Sequence, residues 1–389
     1  MRYVLLIPGW FPSEINFLSG DFIERHAKAA ALYFPVKVLY VVKDNSLPFG
    51  TIKLQHRKYS DNYETVIYYY SSRNSIAIIE KITSVWLQSK CLFQGFKKIT
   101  SQNGMPSLIH AHVLVKHAWF AVKQSNKYNI PLLASEQWTG YLPEAKGEFE
   151  SLSFFQKNTL RKVFDKAIHV TTVSEYLAKK IRERFNFKSH TVIPNLVDTT
   201  IFQPSYKLST GTTTTFIHIS TLSKQKNVDE MLEACKILKD QGAVFHLNLI
   251  SPEDRFYFIK IWESKLHEYV THYPEVKQDA LSKLVAEADA LILYSNYETF
   301  GCVIVEANAC GVPVIVSDFP VFDENVQEGI TGFKVPLHDP QTLADRMLKI
   351  INKQHSFNKE HIINITKEKY SFEIIGKQFA DLYDQYAKP

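Results

Sequence analysis

Between Ala290 and Asp318 the chain changes periodicity twice within one short unit. Ala290-Leu-Ile-Leu-Tyr294 is a continuous apolar run of strand length, flat in polarity, as a strand buried on both faces of a parallel sheet requires. A polar loop follows from Ser295 to Thr299, and Gly301 opens a helix expected over Cys302 to Cys310. Gly311 stands where a helix C-terminal glycine belongs, and Val312-Pro313 starts a second apolar strand that ends at Asp318. Strand, loop, helix and strand in that order point to a parallel α/β sheet. The helix N-terminus points its first backbone N–H groups, those of Gly301, Cys302 and Val303, along the helix axis, and with the helix dipole they are expected to form an anion site.

Two carboxylates frame that site: Glu298 in the loop and Glu306 more than one turn into the helix. Acids beside a phosphate-binding helix end suit a ligand with phosphates in its middle and polyols at both ends. One carboxylate accepts hydrogen bonds from a ribose diol, the other from sugar hydroxyls, and the amides hold the diphosphate. An ordinary strand–helix–strand unit with two solvated glutamates is the competing reading, because acids near loops are usually exposed.

The string Glu298-Thr-Phe-Gly-Cys-Val-Ile-Val-Glu306-Ala-Asn-Ala-Cys-Gly-Val-Pro-Val-Ile closely resembles the signature of glycosyltransferase family 4. These are retaining nucleotide-sugar transferases of the GT-B fold, with the pattern E-x-F-G-x-x-x-x-E-A-x-A-x-G-x-P-V. The resemblance implies α/β architecture: two Rossmann-like doubly wound domains facing across a cleft, with a C-terminal helix crossing back to the first. It assigns Glu298 to the donor sugar, Glu306 to the ribose, and Phe300, Gly301, Cys302 and Val303 to the nucleotide-sugar.

Length and composition fit two domains. A chain of 389 residues exceeds one ordinary core, and 45% hydrophobic with 22% charged residues is globular. No apolar run reaches the ~18 residues of a membrane span. The opening MRYVLLIPGWFP is too short for a signal peptide and reads as a first buried strand. Cys91, Cys235, Cys302 and Cys310 form no C-x-x-C pair, so a reduced, cytoplasmic protein without structural metal is expected. Residues 1–195 hold 26 Lys+Arg against 14 Asp+Glu, a charge of +12, and the remainder 19 against 26, or −7. A basic first half and an acidic second half suggest units with different partners, although a lysine-solvated surface gives the same count.

Short apolar strands alternate with helical patterns from the start. After Val4 to Ile7 comes a loop ending at Gly20, then Asp21-Phe-Ile-Glu24 as an N-cap with its capping glutamate, and the strand VKVLYVV. The resemblance places an acceptor-side loop at Gly20; His26, at helical spacing, reads as a packed or partly exposed residue. Residues 65–72 read as a strand and Ser75 to Ile99 as a long helix with Ile78, Ile82, Val85, Trp86, Leu92, Phe93 and Phe96 in one stripe. Such a stripe is usually core; with Lys81, Lys90, Lys97 and Lys98 it also suits a membrane surface. Strand SLIHAH ends in His110 and His112, at the crevice end of the sheet, and His112 is a candidate acceptor-side residue. The strand before Glu136 repeats the geometry, with Gln137 where the family commonly has a donor-sugar histidine.

AIHVTTVS leads to Ser174 and a helix, and IPNLVD resembles the family's interdomain crossing. Pro194, Pro204 and the run STGTTTT (209–215) mark the boundary. TFIHIS opens the second half, and its loop TLSKQKN is expected to end in Asn227 as a helix cap. The family usually has an arginine and a lysine here on the diphosphate; Lys226 matches the lysine and Thr221 replaces the arginine. Ser251-Pro252 replaces the usual glycine pair, Glu324 matches the acid of the final pattern, and closing helices are expected near 341–352 and 372–387.

These readings give an acceptor-side domain at 1–195, a linker at 196–212, a nucleotide-sugar domain at 213–369 and a returning helix at 370–389. Catalytic candidates are Glu298, Lys226 and Gln137; donor-binding candidates are Thr221, Lys226, Glu298, Phe300 to Val303 and Glu306; Gly20 and His112 lie on the acceptor side. The resemblance implies no metal and no cofactor, the nucleotide-diphosphate sugar being substrate. It suggests a lipid-linked or saccharide acceptor, cytoplasmic location and an anionic membrane surface as partner. Two other classes stay open: a non-catalytic GT-B binding or scaffold protein, and a nucleic-acid binder using the basic half. The chain lacks the Arg-aromatic interleaving that would support nucleic-acid binding.

Overall fold

Each apolar run of strand length seeds one strand of a parallel sheet, and the amphipathic segments between them return over its faces. The computed structural model describes residues 2–205 and 213–388. The chain divides into two units: Met1–Tyr141, Gly147–Asn195 and Phe372–Pro389 in one, Leu142–Lys146 and Leu196–Ser371 in the other.

In the first unit the order is β1 (Val4–Pro8), α1 (Asp21–Ala31), β2 (Val36–Lys43), β3 (Ile52–Lys58), β4 (Tyr63–Tyr70), α2 (Ala77–Asn103) and β5 (Leu108–His112). It continues through α3 (Ala118–Tyr128), β6 (Leu132–Glu136), α4 (Phe154–Lys166), β7 (His169–Thr172), α5 (Glu175–Arg182) and β8 (His190–Val192). The sheet runs β3-β4-β2-β1-β5-β6-β7-β8, parallel except for the antiparallel β3–β4 pair. The order reverses between β1 and β5, where the carboxyl ends of strands leave a crevice. Loop 9–20 leaves β1 at that point, and His112 ends β5.

The second unit contains β9 (Thr214–Ile219), α6 (Val228–Asp240), β10 (Phe245–Ile250), α7 (Arg255–Glu263), β11 (Val270–Tyr273) and α8 (Gln278–Ala286). Then follow β12 (Ala290–Leu293), α9 (Cys302–Ala309), β13 (Val314–Ser317), β14 (Gly332–Val335), α10 (Pro340–Ile351) and α11 (Lys359–Tyr370). Its sheet, β11-β10-β9-β12-β13-β14, is wholly parallel and reverses between β9 and β12. Val228, Met231, Leu232, Cys235 and Leu238 put one face of α6 into the core against Phe216, Leu247 and Leu343. Each such side chain contributes about 1.5–3 kcal/mol by leaving water. The last helix, α12 (Phe372–Tyr386), belongs to the first unit and packs on α1. Gly376 lets the backbones meet, since a Cβ there would lie 2.2 Å from the Ala29 carbonyl oxygen.

Several expectations need correction. The N-cap of α1 is Gly20, in the left-handed region at φ 69°, and Asp21 is the first helical residue, paired with Arg25 at 2.9 Å. Asn227 occupies the N-cap position of α6 without a side-chain capping bond; its amide donates to Glu230 instead. Of the stripe on α2 only Leu92 and Phe96 are core; Ile78, Ile82, Val85 and Trp86 stand in solvent, and Phe93 is exposed as well. Most of the STGTTTT run lies outside the described residues. Edge strand β3 was invisible in the sequence because IKLQHRK is largely polar, a composition that blunts an exposed edge.

Candidate functional site

The loops after β9 and β12 straddle the point where the second sheet reverses its order, so topology alone brings them together. The β9 loop carries Thr221, Lys224 and Lys226; the β12 loop carries Glu298 and leads into α9. Three bonds tie the loops: the Asn296 side chain donates to the Lys224 carbonyl and the Gln225 side chain to the Tyr297 carbonyl, both at 2.9 Å, and the Asn296 amide donates to the Gln225 carbonyl at 2.8 Å. The side chains then meet: Lys226 Nζ donates to Glu298 Oε1, which also accepts from Ser295 Oγ at 3.0 Å. Glu298 is 6% exposed and Glu306 4%, which excludes two solvated glutamates.

His218 holds this arrangement from below. Its Nδ1–H donates to the Ile292 carbonyl at 2.8 Å, leaving Nε2 to accept from the Ser220 hydroxyl, whose oxygen accepts from the Leu222 amide. Burial pushes the ring down to about 4, so it stays neutral and keeps this tautomer. The β9 loop is thereby fixed to β12. Thr221 is exposed beside Leu222, whose φ of 55° turns the loop.

Gly301 lies at φ 86° as the N-cap of α9, with no side-chain cap. A Cβ there would come within 3.0 Å of Ile304 Cδ1 and 3.1 Å of Leu293 Cδ2, so glycine is required twice over. Gly301, Cys302 and Val303 are half-buried while the helix from Ile304 onward is buried, so the amide end alone opens to solvent. Asn325 Nδ2 donates to the Phe300 carbonyl at 2.7 Å, and the Phe300 ring packs edge-on against Tyr370. Phe300 therefore shapes the helix entry through its backbone. His218, Ser295, Gln225 and Asn325 were not singled out in the sequence; only His218, set between Ile217 and Ile219 in a strand, left a signal there.

In the first unit Gly20, at φ 69°, brings α1 against loop 9–20, with its Cβ direction 2.6 Å from the Trp10 carbonyl carbon. His26 is fully packed. Its Nε2–H donates to the Pro194 carbonyl at 3.0 Å, and its Nδ1 accepts from Gln137 Nε2 at 3.3 Å. His112 lies 5.5 Å from the His26 ring and 5.3 Å from His110, with neither ring nitrogen hydrogen-bonded among the described residues. Burial lowers all three histidines, His26 to about 4 and His110 to about 3. Glu136 is fully buried and raised to about 7 by desolvation, although it accepts from the Leu114 and Gln137 amides and the Tyr141 hydroxyl. Gln137 and His112 thus share one buried histidine. Thr221 lies on the Lys226 loop with its side chain exposed. Among the described residues no three His, Cys, Asp or Glu side chains are grouped to hold a metal ion.

Comparison with known proteins decides the family. Residues 203–369 match the model for glycosyl transferases group 1, and residues 85–201 match that for glycosyltransferase family 4. The chain belongs to this glycosyltransferase family. Among its relatives, N-acetyl-alpha-D-glucosaminyl L-malate synthase of Bacillus anthracis is 27% identical over 290 residues, 71% of this chain and 74% of that one. A putative colanic acid biosynthesis glycosyltransferase, WcaL of Salmonella typhimurium, is 27% identical over 48% of each chain. Sucrose-phosphate synthase of Thermosynechococcus elongatus superposes with TM-score 0.78 at 18% identity, covering 99% of both chains. HepE of Anabaena, solved with UDP and glucose, gives 0.71 at 16% identity over 99% of this chain and 100% of that one. The fold is that of GT-B glycosyltransferases, as expected.

Proposed function

We propose that this glycosyltransferase moves a sugar, with retained configuration, from a nucleoside-diphosphate donor to a lipid-linked or saccharide acceptor in surface polysaccharide or glycolipid synthesis. The observation that carries the reading is the Lys226–Glu298 pair beside the open amide end of α9. A diphosphate seated on the Gly301–Val303 amides supplies a stronger partner for Lys226 than a lone carboxylate. Glu298, released, turns its oxygens to the hydroxyls of the donor sugar, and Glu306 takes the ribose diol. As the glycosidic bond breaks, charge grows on the departing phosphate, where Lys226 and the amides already stand. This supplies the stabilisation without a metal ion or an enzyme nucleophile. Gln137, held by His26, serves the donor sugar, while Gly20 and His112 lie toward the acceptor.

The reading further places the protein in the cytoplasm, at an anionic membrane surface. The exposed first half of α2 supports it, and no described helix is long and apolar enough to cross a membrane. UDP and UDP-glucose bound to HepE favour a uridine donor. A panel of nucleoside diphosphates and their sugars, followed by thermal shift and by release of free nucleotide, tests this. A bound donor raises the melting temperature by mass action. Binding without turnover in the presence of candidate acceptors would instead indicate a non-catalytic binding protein.

A further inference from the structure

Loop 9–20 roofs a cavity in the first unit, on the face of the sheet turned away from α2. Tyr63, Thr65, Ile67 and Tyr69 alternate along β4 onto that face, while Tyr70, on the other, bonds Ser84 of α2 at 3.0 Å. Gln55 and Arg57 of β3 stand opposite Ile67 and Thr65, so the edge strand adds polar side chains to the same face. The loop is pinned over them through Glu14. Its carboxylate accepts from Lys53 at 2.6 Å and from Gln55, and its amide donates to the Tyr69 hydroxyl at 3.1 Å. A pocket of about 320 Å³ remains beneath, bounded by Phe11, Glu14, Phe17, Glu24, Arg57 and Tyr59 and reaching Thr65. Thr65 and its partner Arg57 lie near the amino end of β4, so the pocket descends the sheet away from the carboxyl-end crevice.

Thr65 is 1% exposed and its hydroxyl has no hydrogen-bond partner among the described residues, an unfavourable state that a ligand hydroxyl would relieve. The Tyr63 hydroxyl, next along the same face and close enough to feel the Glu24 charge, is likewise buried and unpartnered among them. Tyr59 stacks on Tyr63 with centroids 5.2 Å apart, which fixes its ring while leaving it 52% exposed. Phe17, also half in solvent, gives the pocket a second open aromatic ring. The carboxylates of Glu14 and Glu24 disfavour a phosphate, and Arg57, whose Nη2 lies 3.9 Å from Glu14, disfavours a free cation. Acceptors, donors and aromatic faces around one small pocket suit a neutral ring that carries several hydroxyls.

We propose that this pocket binds a saccharide, one pyranose ring lying on Tyr59 with its hydroxyls on Glu24, Arg57 and Thr65. The pocket holds glycan and takes no part in the chemistry of transfer. Polar residues that blunt the β3 edge then have a second use, since Gln55 fixes the roof and Arg57 meets the sugar. The proposal rests on the transfer reading in one respect: the sugar held here belongs to a saccharide acceptor longer than the unit being extended. Binding itself is measured without any donor.

The test is titration calorimetry of the full chain with di- to hexasaccharides of glucose, galactose and N-acetylglucosamine, with and without UDP. At least one series is expected to bind, and UDP is expected not to displace it. Tyr59→Ala and Thr65→Val each lower the affinity by about tenfold. Thr65→Val deletes a buried hydroxyl that has no partner among the described residues, so its melting temperature should hold or rise while sugar binding falls. That combination separates a lost ligand contact from a damaged fold. Wild-type protein that binds none of the oligomers, or variants that bind them as wild type does, overturns the proposal. So does sugar binding that UDP competes away, which puts the saccharide in the nucleotide site. Tyr59-dependent sugar binding by a chain that binds no nucleoside diphosphate leaves this pocket standing and removes the proposed transfer instead.

Discussion

Lys226 and Glu298, 72 residues apart in the chain, form an ion pair across the switch point of the second sheet, with Ser295 as the third member. Both partners are largely withdrawn from water, the Lys226 side chain 20% exposed and that of Glu298 8%. The pair joins the β9 and β12 loops.

Removing one partner therefore acts on stability as well as chemistry. Lys226→Ala leaves the Glu298 carboxylate buried with one hydroxyl donor, at a cost of about 3 kcal/mol, and abolishes measurable transfer. Adding Glu298→Gln should restore most of the stability and none of the transfer. Lys224→Ala, an exposed side chain on the same loop, should only weaken transfer. Urea unfolding of the single and double variants, with donor turnover measured alongside, checks this. Near-normal transfer by Lys226→Ala would show that the diphosphate is held elsewhere.

The two glutamates should separate kinetically. Glu306→Gln, inside α9, weakens nucleotide binding by about 1.5–3 kcal/mol, whereas Glu298→Gln lowers turnover with little change in donor affinity. Titration calorimetry with the nucleoside diphosphate, set beside kcat, distinguishes them. Equal effects of both variants on affinity would dissolve the division of roles.

Thr221→Arg is a gain-of-function test of the β9 loop. Thr221 is exposed on the loop that carries Lys226, so a guanidinium there meets no steric obstacle. A bidentate fork should tighten diphosphate binding and reduce its salt dependence relative to wild type. Gly301→Ala should do the opposite, because φ 86° and the contact with Ile304 force the open amides out of place. Nucleotide affinity for both variants at low and high salt is the measurement.

How much of this could be read from residues alone differs between the parts of the site. The β12–α9–β13 unit was legible because periodicity, Gly301 and Gly311 all mark it within one short stretch. The meeting of Lys226 with Glu298 required the order of strands, which no local pattern encodes. The α2 stripe looked like core because spacing reports a helical face but not whether anything covers it. The Gln137–His26–Pro194 chain joins three distant segments, and each residue is unremarkable by itself. The polar edge strand β3 and the short helices α7 and α11 carry too little apolar periodicity to be separated from loop.

The buried histidines of the first unit make its stability depend on acid in a predictable direction. His26 and His117 are lowered to about 4 and His110 to about 3, in each case chiefly by burial. A histidine whose folded value lies below its ordinary 6.5 binds more protons unfolded than folded between the two values. Its contribution is complete above about 6.5 and is lost as the pH falls toward 4. The groups facing the cluster are Gln137, Ser135, Tyr383 and the Pro194 carbonyl, with Arg25 nearby, and none is an acid that could keep a proton on a ring. Glu136 works the other way: raised to about 7, it binds more protons folded than unfolded from its ordinary 4.5 up to about 7, so stability falls as the pH rises through that window. A shift of that size corresponds to about 3 kcal/mol. The opposing slopes should place maximal stability of this unit near neutrality, with a steep acid limb. Thermal melts from acid to mildly alkaline pH should show Glu136→Gln gaining stability chiefly above pH 7. His112→Met, which removes a buried ring with no hydrogen-bond partner among the described residues, should flatten the acid limb. A wild-type melting temperature indifferent to acidification below 6.5 would mean that the histidines are not held neutral by burial.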